Sequence, residues 1–238
     1  MSAVDALAAA EFRPLLLTLP LSPAGTDELA AALEVLAAQP VPEGSGGPQL
    51  VLNLHDGLHA ILRAYGMGIL NARLGDTAAA TEFADTLTDL MLAVDHERLS
   101  QDLALAVRAR IARDEGRTDE ALGHVTQMRM SAWHGQTLVS PFYARTTERF
   151  LRGELLQRVG RDDEALPWFE HIAENSPFEV ALLPAALLMR GEIHAARGET
   201  AEATRLYERF LEMWNEADGV LQPVVSNTRE RLDIVRGE

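Results

Sequence analysis

The stretch Gly153-Glu154-Leu155-Leu156-Gln157-Arg158-Val159-Gly160-Arg161-Asp162-Asp163-Glu164-Ala165-Leu166-Pro167-Trp168-Phe169 decides the fold. Two helical patterns meet at Gly160, a residue that accepts the left-handed conformation of a helix end. Acidic residues follow at once, where the positive end of a new helix favours them. The spacing predicts one helical hairpin. The same order recurs around Gly75, Gly116 and Gly198, with an alanine five positions after each glycine (Ala80, Ala121, Ala165, Ala203) and separations of 41, 44 and 38 residues. A period of that size marks stacked helical units, each of which buries its apolar face only against its neighbours.

Working outward, four hairpins are expected: Pro48 to Leu74 with Thr77 to Val94, Leu99 to Glu115 with Thr118 to Met130, Pro141 to Val159 with Asp162 to Glu174, and Pro177 to Arg197 with Thr200 to Glu216. Ala165 and Ala203 suit a crossing of two helices at the ~8–10 Å of close packing. Gly153 and Gly191 provide a flat spot on the first helix, and Phe169 and Tyr207 are expected to fill the space between hairpins. Pro167 predicts a bend or a late start in its helix. Residues 1–47 are rich in proline and contain one clear helix, from about Thr26 to Gln39, with Thr26 as its N-cap. They read as a capping or leader segment. Residues 48–217 form the repeat array, and residues 218–238 form one amphipathic capping helix through Val224, Thr228 and Leu232, the whole being one continuous domain.

Composition narrows the chemistry. Aromatic residues make up 5% of the chain while Ala and Leu dominate, which favours close helix packing over sheets. A net charge of -15 repels phosphate backbones and anionic lipid, so neither nucleic acid nor a membrane is expected as a partner. Cysteine is absent, which removes disulfides and thiolate chemistry and fits a reducing compartment. Lysine is absent too, so a phosphate loop ending in Gly-Lys and a Schiff-base lysine are both ruled out. The start of the chain lacks the basic pattern of a signal peptide, and no apolar run reaches ~18 residues, which predicts a cytoplasmic protein.

The set Gly153, Leu156, Gly160, Ala165, Phe169 and Pro177 resembles the tetratricopeptide repeat, as do Gly191, Gly198, Ala203, Tyr207 and Phe210. Gly68, Gly75, Ala80 and Leu87 make a weaker copy, and Ala109, Gly116 and Ala121 the weakest. The resemblance covers roughly residues 50 to 217. It implies an all-α, right-handed superhelix of about four hairpins with capping helices at both ends. It also implies a concave groove lined by Leu62, Tyr65, Ile69 and Arg73, then Leu103, Arg110 and Arg113, then Thr147, Phe150, Glu154 and Arg158, and finally Leu188 and Glu192. Apolar anchors mixed with guanidiniums suit an extended peptide with acidic and apolar residues.

Enzymatic candidates are thin. His55 and His59 stand one helical turn apart and could share a metal ion, but no third ligand is identifiable. His171 lies between Glu170 and Glu174, and His194 follows Glu192, without a nucleophile to complete a catalytic set. No catalytic residue and no cofactor is therefore expected. The leading expectation is a non-enzymatic interaction scaffold with a protein or peptide partner, compatible with a homodimer. The stretch from Ser140-Pro141-Phe142 to Glu216-Ala217-Asp218 and Leu221-Gln222-Pro223 also resembles repeat regions of bacterial signalling and transcription-regulator proteins, so the alternatives are a regulatory repeat region of such a protein and a metal-dependent enzyme using His55 and His59.

Overall fold

The computed structural model describes residues 3–40, 58–90, 97–129, 140–172, 174 and 176–237, and every regular element among them is a helix. The chain divides into two compact units, Met1–Glu148 and Arg149–Glu238, and the division falls inside a helix of the third expected hairpin.

The first unit contains α1 (Ala3–Leu17), α2 (Thr26–Ala38), α3 (Leu58–Leu74), α4 (Thr77–Asp89), α5 (Glu97–Asp114), α6 (Thr118–Gln127), a single helical turn Pro141–Ala144, and the start of α7 (Thr146–Arg158). Within it each helix from α1 to α6 packs on the next in the chain. The first helices of successive hairpins also touch, α1 on α3 and α3 on α5. The second unit contains the rest of α7, then α8 (Asp162–Glu170), α9 (Leu183–Ala196), α10 (Thr200–Trp214) and α11 (Gln222–Arg236). Here α8 packs on α9, α9 on α10, and α10 on α11.

The four hinge glycines behave alike. Gly75, Gly116, Gly160 and Gly198 all have positive φ, between 72° and 81°. Each closes its helix with the same pair of backbone bonds. At Gly160, Arg161 N–H donates to Leu156 O at 2.9 Å and Gly160 N–H to Gln157 O at 2.9 Å, which satisfies carbonyls the helix end would otherwise orphan. The alanines five positions later, Ala80, Ala121, Ala165 and Ala203, are all fully buried. Only the first hinge uses its carboxylate as a cap: Asp76 accepts from Ala79 N–H at 3.0 Å. Arginines close several other helix ends, where a cation meets the negative end of the helix dipole. Arg63 of α3 donates to the carbonyls of Ala37 and Gln39, Arg98 of α5 to Gln127 O at 2.9 Å, and Arg149 of α7 to His171 O at 3.3 Å.

Two expectations are corrected. The first 47 residues hold two helices rather than one: α1 continues through Pro14, whose ring lies over Gly66 of α3, where an added Cβ would come within 3.1 Å of it. Leu17 enters a core with Leu29, Ala32 and Leu70, so the proline-rich start builds one more hairpin. Thr26 begins α2 without capping it, the N-cap position being Gly25. Phe169 and Tyr207 each pack on the glycine of their own hairpin, and Tyr207 also meets Arg231 of α11, the helix beyond it. A Cβ on Gly153 would stand 2.8 Å from the Phe169 ring, and one on Gly191 would stand 2.5 Å from Tyr207. The glycine exists to admit the ring. Pro167 sits inside α8, which at 9 residues is the shortest of the second helices described.

Candidate functional site

The residues expected to line a groove divide sharply by chemistry. Leu62, Tyr65, Ile69, Leu103, Phe150 and Leu188 are buried, none more than 6% exposed, so the chain's own core holds the apolar half of the expected lining. On α3 the helical stripe faces inward, because the α1–α2 hairpin and the Pro141–Ala144 turn pack against it where a partner was expected. Arg73 and Arg158 are exposed, while Arg113, Thr147, Glu154 and Glu192 are half-buried.

Tyr65, Arg110 and Thr147 do converge, on a residue that was not anticipated. Glu148 is buried, and its Oε1 accepts from the Tyr65 hydroxyl, from Arg110 Nη2 at 3.0 Å and from the Thr147 hydroxyl at 2.9 Å. The Arg110 guanidinium also lies 5.8 Å from the centre of the Tyr65 ring and donates to Ala106 O at 3.2 Å. Burial by itself raises the Glu148 carboxyl. The charge of Arg110 and the hydrogen bonds from Tyr65, Thr147 and Arg110 outweigh burial and hold it below the ordinary carboxylate range. Burial pushes the Tyr65 hydroxyl far up, so it remains a protonated donor. Arg110 is therefore neutralised inside the protein, and the acidic-peptide expectation loses its strongest residue. Arg113 lies 2.7 Å from the carboxylate of Asp114.

A second buried pair has the opposite balance. Asp102 is fully buried, and its Oδ2 stands 2.8 Å from Arg145 Nη1, while Oδ1 accepts from the Arg129 N–H at 3.2 Å. Burial raises the Asp102 carboxyl above its usual range despite Arg145, and burial lowers Arg145 below its usual range despite Asp102. Desolvation wins at this pair, whereas the charge partners win at Glu148. Glu148, Asp102 and Arg145 escape a sequence reading because isolated charges in an apolar pattern look like solvated positions. The one available signal is that Asp102 and Glu148 lie where a helical stripe should be apolar; Arg145, between two helical segments, has none.

In the second unit the polar positions meet one another. Gln157 of α7 donates to Glu192 Oε2 at 3.3 Å, and Arg231 of α11 pairs with Glu192 Oε1, so three first helices are linked through α9. Glu154 and Glu192 each follow the flat-spot glycine of their helix, and Arg231 falls 39 residues after Glu192, one repeat further on. Arg158 reaches back one turn to Glu154.

The histidines find structural partners. His59 is buried with Nδ1 2.6 Å from Glu11 Oε1, and His55 lies outside the described residues. Among the described residues no group of three or more His, Cys, Asp or Glu side chains is placed to hold a metal ion. His194 pairs with Glu199 rather than with the neighbouring Glu192, and His171 with the carbonyl of Pro167 rather than with Glu170 or Glu174. Among the described residues no helix is long and apolar enough to cross a membrane. Comparison of the chain with known protein families, with curated proteins and with solved structures finds no match.

Proposed function

We propose that this chain is a tetratricopeptide-like helical-repeat protein that acts as a non-enzymatic scaffold and binds a protein or peptide partner. The binding surface is the row of polar positions on the first helices of the second unit, Glu154, Arg158, Glu192 and Arg231. The observation that carries this reading is the register. Glu154, Glu192 and Arg231 recur at intervals of 38 and 39 residues on successive first helices, and Glu192 is joined to Gln157 and Arg231 on its two neighbours. A surface written in repeats suits an extended chain that crosses several helices in turn. Its mixed charge suits a partner of mixed charge, in place of the acidic one first expected. The cysteine-free composition supports a cytoplasmic location.

The test is affinity capture from the native cell with the parent chain and with the double variant Arg158→Glu/Glu192→Arg. The variant should keep its helical circular dichroism and lose the proteins the parent retains. An unchanged set of retained proteins contradicts the proposed surface.

A further inference from the structure

In the first unit the inward-facing surface of α3 is occupied by a piece of the chain that sits there as a ligand would. The turn Pro141–Ala144 places the buried Phe142 between two other aromatic rings: its centroid is 5.3 Å from Phe12 of α1 and 6.3 Å from Tyr65 of α3, the second pair meeting edge to face. Such pairs are geometrically specific, so the slot selects an aromatic ring over an aliphatic side chain. Immediately below it lies the floor made by Tyr65, Arg110 and Glu148, where every donor converges on one carboxylate.

The seat of the turn is much poorer than that floor. Arg145, which joins the turn to α7, has φ 50° and ψ 40°, and it is the one non-glycine residue with positive φ among the described residues. A side chain at Cβ disfavours that conformation. Arg145 is buried, yet its Nε has no hydrogen-bond partner among the described residues, and the same holds for the buried Thr146 hydroxyl. Its ion pair with Asp102 does not recover the cost of taking both charges out of water, as the opposite displacements of the two groups show. A strained hinge, two unsatisfied buried donors and an undercompensated ion pair all lie at one end of a four-residue turn. The well-satisfied anchor, Glu148, lies just beyond the hinge. Release of the turn would free the strained part and leave the floor in place.

We propose that the Pro141–Ala144 turn is a releasable internal plug: Phe142 fills an aromatic slot between Phe12 and Tyr65 that a partner peptide carrying Phe in a Pro-Phe-Tyr-like context enters in its place. This rests on the scaffold reading and adds to it a second, normally closed, binding surface. The plug's own sequence defines the competing ligand, because the slot is already shaped around it.

The probe is a synthetic peptide with the sequence of residues 140–145, added to the full-length chain. The amides of Ala144 and Arg145, which donate to Ser140 O at 3.0 Å and to Pro141 O at 2.8 Å, report on the turn directly. Their hydrogen exchange should show an opening that low urea does not change and that excess peptide increases at least tenfold, while α3 and α5 keep their protection. Exchange of these two amides only by global unfolding, or exchange unmoved by peptide, overturns the proposal. In a second arm, a folded Phe142→Ala chain should bind the peptide at least tenfold more tightly than the parent does. It should also prefer it to the same peptide with Ala for Phe. Equal binding by the two chains, or no preference between the peptides, overturns it as well. The two readings fail separately. Partners captured by a parent whose two amides stay locked sink the plug alone, whereas a plug that opens in a chain retaining no partner sinks the scaffold.

Discussion

The two units solve the same packing problem with different materials. Residues 149–238 bury aromatic rings against glycines, Phe169 on Gly153 and Tyr207 on Gly191, and hold most of their charges at the surface, as in Arg197 with the exposed Asp163. Residues 1–148 bury charged groups in pairs, Asp102 with Arg145 and Glu148 with Arg110, and also bury the hydrogen-bonded pair Glu11 and His59. Where the second unit has Gly153 and Phe169, the α5–α6 hairpin has Ala109 and Val125, both fully buried, so a larger residue on the first helix goes with a smaller one on the second. Ring against glycine leaves little to satisfy except volume. The buried pairs of the first unit must satisfy direction and charge as well, which ties segments far apart in sequence to single oxygens and makes that unit the more exacting of the two.

The sharpest way to break this contrast is Glu148→Gln. It leaves the Arg110 cation buried without its carboxylate and should destabilise the chain by about 3–5 kcal/mol in urea unfolding. The penalty should depend on acidity. In the folded chain the Glu148 carboxyl lies below its ordinary value of 4.5, so its contribution is present above that pH and is lost as pH falls through the folded value. Asp102 runs the other way. Its carboxyl lies above 3.8 in the folded chain, so its contribution is complete below that pH and is lost as pH rises through the folded value. On acidification the cost of Glu148→Gln should therefore shrink and that of Asp102→Asn should grow. Parallel changes in the two variants would show that the two pairs do not differ as described.

In the second unit the corresponding probe is volume. Gly191→Ala puts a methyl group 2.5 Å from the Tyr207 ring, and Ala203→Leu overfills a fully buried site; each should cost on the order of 1–3 kcal/mol, read as a lower thermal midpoint. Gly160→Ala meets no neighbour within 4 Å but forces an L side chain to φ 75°, for about 1–2 kcal/mol. The smallest effect belongs to Asp163→Ala. Its carboxylate is 96% exposed and paired with Arg197, and it should cost less than about 1 kcal/mol. A surface pair that proved worth more than Gly191→Ala would invert the ranking.

The hairpins were legible because their signals are local. A left-handed glycine and a small residue five positions later state the hinge and the crossing within a dozen residues, and the four backbone hinges follow that reading. The first hairpin was half missed, since Pro14 and the apolar run after it look like a break when read locally. Only the facing Gly66 shows that the ring has a place to lie. The groove was misjudged for a related reason. A helical stripe of Leu62, Tyr65 and Ile69 states that one face is apolar, but not what covers it, and here the cover comes from α1 and a turn more than 70 residues downstream. Glu148 was invisible for the same reason, its partners lying 38 and 83 residues away.

The contrast between a closed first unit and an open polar row in the second can be measured directly, because the natural chain has no cysteine. Single cysteines placed at Leu62, Leu103, Arg158 and Glu192 would each be the only thiol in the molecule, and their rates of labelling by a maleimide in native buffer report access to each position. Leu62→Cys and Leu103→Cys should stay protected until urea unfolds the chain, while the exposed Arg158→Cys labels at a rate near that of a free thiol and the half-buried Glu192→Cys labels more slowly but without urea. Native labelling at 62 and 103 as fast as at 158 and 192 would contradict the account.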